Sequence, residues 1–333
     1  MSDLAVRALS QQEFAAWNLF VEKSPQGTIF ATSYWLEATG WSFRIYGAFQ
    51  HGNLIAGLPV GLRKLPLGVR SAEHPPLTPY LGVIHQPRAT KYVHQISSEK
   101  EAQDALAASL KREFDWIRFN FHPTIFDLQP FIWKGFSNSA RYTYWLNLSD
   151  LSLVWDEMEK RRRNDIHRAE RDGVLIEKSV NFEEFFTLVE KTFERQEMKA
   201  GFRVTAERVH SMLKERKQSQ IFIARDSNQR PIAGVYIIWD WRRAYYLMGG
   251  YDPKLGHSGA SALAMWKAIQ FAAEDKGLCE FDFEGSMVPA VEQFFRKFGG
   301  KLTPYFSVSW AMPTLDLVLQ LRSGLKRLVT RGR

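Results

Sequence analysis

The sequence predicts an α/β (α+β) chain in which one unit occurs twice, each copy a mixed, largely antiparallel sheet flanked by helices. Three observations carry this. Two hairpin-like stretches share the triplet Ile-Ala-Gly, at Ile55 to Gly57 and at Ile232 to Gly234. The segments on either side of each triplet recur in the same order. The chain's 333 residues, 45% hydrophobic and 24% charged, fit two ordinary cores better than one.

In the first copy, apolar spacing predicts a helix over Gln12 to Val21. A hairpin over Arg44 to Leu62 turns at His51-Gly52-Asn53. Pro66 to Pro87, with Pro75, Pro76 and Pro79, is irregular and has no counterpart later. A helix over Ser98 to Glu113 opens at Ser97 or Ser98, with Glu101 in capping-box position. Alternation then marks strands at Trp116 to Phe121 and Arg141 to Leu148.

The second copy follows suit. A helix spans Phe182 to Thr192, and a hairpin over Gln220 to Trp239 turns at Asp226-Ser227-Asn228. A strand over Tyr245 to Gly250 leads to a helix over Ser258 to Lys276, ended by Gly277. Strands at Cys279 to Phe283 and Tyr305 to Trp310 close the copy. The boundary falls in Asn147 to Asp156, where Ser149 and Asp150 are turn and cap residues. The expected domains are therefore 1–150 and 151–312, with a basic amphipathic tail over 313–333.

Composition excludes several classes. One cysteine, Cys279, rules out a disulfide framework or a cysteine zinc cluster, and it reads as a small buried strand residue. The histidines are scattered without metal-ligand spacing, so no metal is expected. No apolar run is long enough to span a membrane, and Met1 to Gln12 lacks a signal peptide's apolar centre. A cytoplasmic protein is expected. The net charge of +8 favours an anionic partner. It concentrates in Lys160 to Arg163 with Arg168 and Arg171, and in the tail from Thr314 to Arg333. The tail reads either as a helix covering its own domain or as an interfacial helix on anionic lipid.

Two segments carry the chemistry. In Tyr251 to Ser261 a strand ends, and glycines precede a helix whose N-terminal amides and dipole suit a phosphate. The spacing is neither a Walker loop nor a dinucleotide fingerprint, and a turn with an N-cap is the other reading. His257 reads as a surface turn residue. In Phe281 to Ser286, Asp282 and Glu284 lie two apart and share one strand face, while Phe281 and Phe283 enter the core. Such a pair serves as a general base or amine anchor, or it pairs with Arg296 or Lys297. The helix over Arg161 to Gly173, with Ile166 and Ala169 inward, offers Arg161, Arg162, Arg163, Arg168 and Arg171 either to a polyanion or to solvent.

At this level the residues resemble a known family. Arg161 to Val174 (RRRNDIHRAERDGV) resembles the segment that opens the second half of FemAB/FemX-like transferases. Thr192-Phe193-Glu194-Arg195-Gln196 is similar to the segment that follows it there. Ile232 to Gly234, Tyr251-Asp252-Pro253, Phe281 to Gly285 and Phe294 to Gly299 come in the family's order. In the first half, Ser24 to Phe30 with Trp35, and Pro75 to Gly82, are also similar. The resemblance covers about residues 5–310 and extends to the acetyltransferases called BioF2-like.

The resemblance implies two tandem GNAT-like domains and transfer of an acyl or aminoacyl group from a thioester or charged tRNA to an amine. It implies acyl-CoA or acetyl-CoA as donor, or aminoacyl-tRNA, and an amino sugar or cell-envelope precursor as acceptor. Under it Glu284 is the base with Asp282 in support, and Gly256, Ser258, Gly259 and Ala260 receive the donor's phosphates. Tyr251, Asp252, Arg296, Lys297, Arg195 and Arg163 bind substrate. Leu255 to Ala260 departs from the family's phosphate loop, lacking the leading Gln or Arg and carrying Ser258 before Gly259. No helical-hairpin arm fits between Arg203 and Ser219. The alternatives are an aminoacyl-tRNA-dependent peptidyltransferase of the FemABX type and an inactive binding module of the same fold.

Overall fold

The computed structural model describes residues 4–86, 91–195 and 197–315. The tail beyond 315, read as amphipathic, and Gln196 lie outside the described residues. The chain divides into two compact units, one running to Ala140 and resuming at Tyr305, the other spanning Arg141–Pro304.

The first unit begins with β1 (Leu4–Ala8), α1 (Phe14–Lys23) and α2 (Ser33–Ala38), then the hairpin β2 (Ser42–Gln50) and β3 (Asn53–Lys64). The turn is His51-Gly52 alone, with φ of +50° and +76°, and Asn53 already pairs with Gln50. Two left-handed residues are what a two-residue hairpin loop requires. After β4 (Arg70–Glu73) and the short β5 (Ile84–His85) comes α3 (Tyr92–Glu113), which starts six residues before the expected Ser98. The capping box is not used, because Ser97 lies inside the helix and its hydroxyl donates to Val93 O at 2.7 Å. The unit continues through β6 (Trp116–Asn120), α4 (Gln129–Trp133) and the start of β7 (Ser137–Asn147).

The second unit holds the rest of β7, α5 (Leu151–Glu157), α6 (Lys160–Arg171), β8 (Leu175–Ser179), α7 (Phe182–Glu194) and α8 (Arg203–Arg216). Asp150 caps α5 as expected, accepting from the amides of Ser152 and Leu153. The unit goes on with β9 (Ser219–Arg225), β10 (Pro231–Trp239), β11 (Arg243–Tyr251), α9 (Ala260–Glu274), β12 (Glu280–Asp282), α10 (Pro289–Arg296) and the start of β13 (Lys301–Ala311). Cys279 is exposed rather than buried. The chain leaves α9 through Gly277 at φ +64°, and β12 begins only at Glu280.

The sheets follow one plan, β1-β2-β3-β4-β6-β13 in the first unit and β8-β9-β10-β11-β12-β7 in the second. Each is antiparallel except for one parallel pair, β4 with β6 and β11 with β12. Residues 305–311 close the first sheet against β6, and β7 closes the second against β12. The repeated triplet has one packing role. A Cβ on Gly57 would lie 2.2 Å from the Trp17 ring of α1, and one on Gly234 would lie 2.7 Å from the Phe185 ring of α7. A bare backbone there lets an aromatic ring from the first helix of each copy pack directly against the hairpin. In the second core, alanines of α9 (Ala264, Ala268, Ala272) let that helix approach the sheet closely.

Candidate functional site

The parallel pair of the second unit is short. Arg243–Tyr245 pair with Glu280–Asp282, and there β12 ends while β11 runs on to Tyr251 along β10. The amide of Phe283 turns to Tyr144 O at 3.1 Å. Glu284 and Gly285 then adopt left-handed φ values of +57° and +68°. The two strands therefore part beyond Tyr245, leaving a wedge with β11 on one side and residues 283–285 on the other. Leu247 is an extra residue opposite Tyr236 and Ile237, a bulge that re-aims the side chains next to the opening.

Glu284 is the chemically distinctive group here. Its Oε1 is buried without a hydrogen-bond partner. Burial, and after it the charge of Asp282, holds its carboxyl well above the usual carboxylate range. The phenol of Tyr246 feels the same carboxylate. Asp282 is completely buried and plays a different part. Its Oδ1 accepts from Thr143 Oγ1 at 2.6 Å and from the Glu284 amide at 2.8 Å. It thereby fixes the left-handed turn that presents Glu284. Burial raises the Asp282 pKa, but the Thr143 hydroxyl and Arg243 oppose the shift. Of the two, Asp282 is the better stabilised as an anion.

Sequence reasoning missed the polar base beneath this turn. Arg243 is buried, donates to Glu280 at 2.8 Å and lies 4.5 Å from the Trp145 ring centroid. Asp240 accepts from Tyr245 Oη at 2.7 Å and from the amides of Arg242 and Arg243. The signal was present as charged residues breaking the apolar hairpin at Trp239 to Arg243.

The expected phosphate loop is partly committed to itself. The Gly259 amide donates to His257 Nδ1 at 3.1 Å, and the Ala260 amide donates to His257 O at 3.1 Å. Accepting at Nδ1 leaves the proton on Nε2, which donates to Asp172 at 3.1 Å. Gly259 is required for packing, since a Cβ there would sit 2.0 Å from Asp165 O of α6. The first-turn amides that remain are those of Ser261 and Ala262. Ser258 is exposed and accepts at 2.6 Å from Arg168 Nη2, which also pairs with Asp165 at 2.7 Å, and Gly256 is exposed beside it.

The other expected substrate residues are distributed. Arg195 stacks over the Tyr251 ring at 4.9 Å, so these two come together. Asp252 is buried, pairs with Lys191 at 2.6 Å and caps its own loop through the amides of Lys254 and Leu255. Arg163 donates to the carbonyls of Trp155 and Asp156 and closes the end of α5. Arg296 pairs with Glu292, and Lys297 with Glu159, so neither partners the carboxylate pair. Arg162, read as part of a polyanion face, is buried over the Phe294 and Phe298 rings at 4.5 and 5.1 Å. Among the described residues no cluster could hold a metal ion. None of the described helices is long and apolar enough to cross a membrane.

The corresponding opening in the first unit is filled by the Pro-rich segment. Leu81 N donates to Asn120 O at 3.0 Å, and Asn120 Nδ2 donates to Pro79 O at 2.9 Å. A Cβ on Gly82 would lie 2.6 Å from the Phe121 ring. The chain itself occupies the edge of β6 that would otherwise be open.

Residues 158–296, which contain the wedge and the α9 N-terminus, match the family model described as an acetyltransferase (GNAT) domain. Across the whole chain the fold is a tandem GNAT fold. The crystal structure of FemX is similar at a TM-score of 0.70 and 15% identity, covering 95% of this chain and 99% of that one. The C-terminal domain of a putative lysylphosphatidylglycerol synthetase from Agrobacterium fabrum is similar at 0.59 and 12%, covering 92% and 94%. A tandem GNAT protein from the clavulanic acid biosynthesis pathway is similar at 0.54 and 12%, covering 92% and 98%. No curated protein matches by sequence.

Proposed function

We propose that the chain is an N-acyltransferase that moves an acyl group from a thioester such as acyl-CoA to an amine, with the chemistry in the second unit. The observation that carries this is Glu284, a buried and unpaired carboxyl at the mouth of a parting parallel strand pair. In the proposed step the amine nitrogen attacks the thioester carbonyl carbon. A C–N bond forms and the C–S bond breaks, releasing the thiolate. The proton leaving the amine passes to Glu284, whose raised pKa makes it a stronger proton acceptor than an ordinary carboxylate. Asp282 is a positioning residue, holding the Glu284 backbone. The donor's phosphates fit the free amides of Ser261 and Ala262, beside Arg168 and Ser258, with the helix dipole favouring the anion. Register supports a long donor: β11 advances six residue steps from Tyr245 to Tyr251, about 20 Å at the rise of an extended strand.

The motif resemblance to FemAB/FemX-like transferases favours an amine carried by a cell-envelope precursor or an amino sugar as acceptor. It also keeps aminoacyl-tRNA as a second reading for the donor. The test is thiol release from acyl-CoA with a panel of amino sugars and peptide amines. Turnover that Glu284→Gln removes supports the thioester reading. Activity seen only with charged tRNA, and falling steeply with salt, supports the second.

A further inference from the structure

The base of the second sheet holds a cavity that acyl transfer does not use. It has a volume of about 240 Å³ and lies where α8 and β10 end, β9 begins and α9 has just ended. Lys214 and Lys217 come from the end of α8 and Lys276 from beyond the end of α9, while Trp239 and Phe271 form an aromatic wall. No carboxylate lines it. None of the three ammonium groups has an ion-pair partner among the described residues. Three other lysines of the unit are paired, Lys178 with Asp275 at 2.5 Å, Lys191 with Asp252 at 2.6 Å and Lys297 with Glu159 at 3.3 Å. The Lys276 ammonium rests over the rings instead, 4.6 Å from the Trp239 centroid and 5.3 Å from that of Phe271.

Cations near helix C-termini complement the helix dipole, which accounts for each lysine separately. It does not account for two helix ends converging on one cavity. Each C-terminus carries about half a negative charge, so three lysines leave a net charge of about +2 facing the cavity. His210 adds a hydrogen-bonding ring without charge, kept neutral by burial and by Lys214, with its Nδ1 against Tyr236 Oη at 2.9 Å. Lys217 is held at φ +55°, a left-handed position where glycine is the usual residue. The volume lies below the roughly 300–1,000 Å³ of pockets for drug-sized ligands, which limits the occupant to a compact anion. The position is also remote, since the 15 residues of α9 put about 22 Å between its N-terminus and this end.

We propose that this cavity binds the phosphate or diphosphate group of a small ligand, at a site separate from the acyl-donor wedge. The test is calorimetric titration of the full chain with pyrophosphate, in the wild type, in K214Q/K217Q/K276Q and in R168Q, whose change lies at the donor end. The three lysines are exposed, and thermal unfolding checks that the triple variant folds. The expected result is a saturable class of sites that weakens at least tenfold in the triple variant and persists in R168Q, which removes only binding at the donor end. No saturable binding by the wild type, equal affinity in the folded triple variant, or loss in R168Q alone would overturn the proposal. Should the triple variant not fold, K217Q alone replaces it, with a weakening of at least threefold expected and unchanged affinity overturning the idea. A nucleoside diphosphate that binds more tightly than pyrophosphate, with the same lysine dependence, identifies a phosphate ester; weaker binding identifies the free anion.

Discussion

Glu284→Gln keeps the shape of the side chain and removes its ability to take a proton. General-base catalysis contributes about 10²–10⁴-fold, so turnover of an amine and an acyl thioester should fall by at least about 10²-fold. The same change should stabilise the fold. Glu284 Oε1 is buried without a hydrogen-bond partner, and leaving a buried polar group unsatisfied costs about 1–3 kcal/mol, more when it is charged. A neutral amide removes the charged part of that penalty, a gain of about 1 kcal/mol at neutral pH. For units of this size that is about 2–4 °C in melting temperature. The linkage sign agrees. A carboxyl whose folded pKa is raised holds its proton more tightly in the folded state, so its share of stability is present below the unfolded pKa. That share is lost as pH rises through the folded value. The variant should therefore be less active and more heat-resistant, with the stability difference widening from pH 5 to pH 8. Thiol-release kinetics and calorimetry across that range measure both. Undiminished turnover, or a lower melting temperature at pH 8, would refute the reasoning.

Four further outcomes follow from the same geometry. Wild-type kcat/KM should rise with pH through the raised Glu284 pKa, because the base works deprotonated; a flat profile from pH 5 to 8 would contradict this. Gly285→Ala should destabilise by about 2–5 kcal/mol, combining a left-handed backbone with a Cβ 2.0 Å from Tyr142 O, and chemical denaturation would report it. His257→Ala should cost about 1 kcal/mol by removing the acceptor for the Gly259 amide, with turnover less affected than by Glu284→Gln. Asp252→Asn should lower stability at pH 7 but matter little at pH 2. Lys191 holds the Asp252 carboxyl below its ordinary value, so its contribution exists above the unfolded pKa and is lost as pH falls through the folded one.

The repeat was legible in sequence because its packing repeats: Gly57 under Trp17 and Gly234 under Phe185 are one solution used twice. Glu284 was legible by a partly mistaken route. Alternation placed it on a strand face with Asp282, yet the strand stops at Asp282, and a left-handed turn held by the Asp282 carboxylate presents Glu284. Residue type alone does not disclose the partners of Arg162, Arg163 and Asp252. Their charges are absorbed by rings, helix-end carbonyls and loop amides contributed from distant positions. Gly259 looked like a phosphate residue because helix-start glycines serve both ligand approach and helix packing, and only the Asp165 contact separates the two uses. The Asp240, Arg243 and Tyr245 base escaped notice because it assembles across a hairpin turn and a parallel partner.

Hydrogen exchange with and without an acyl-CoA tests the central claim most directly. Donor binding in the second-unit wedge should protect the amides of Tyr246 to Tyr251 and of Ser261 and Ala262. Residues 75–86, which fill the matching opening of the first unit, should stay unchanged. Protection confined to the first unit, or none at saturating donor, would contradict the account.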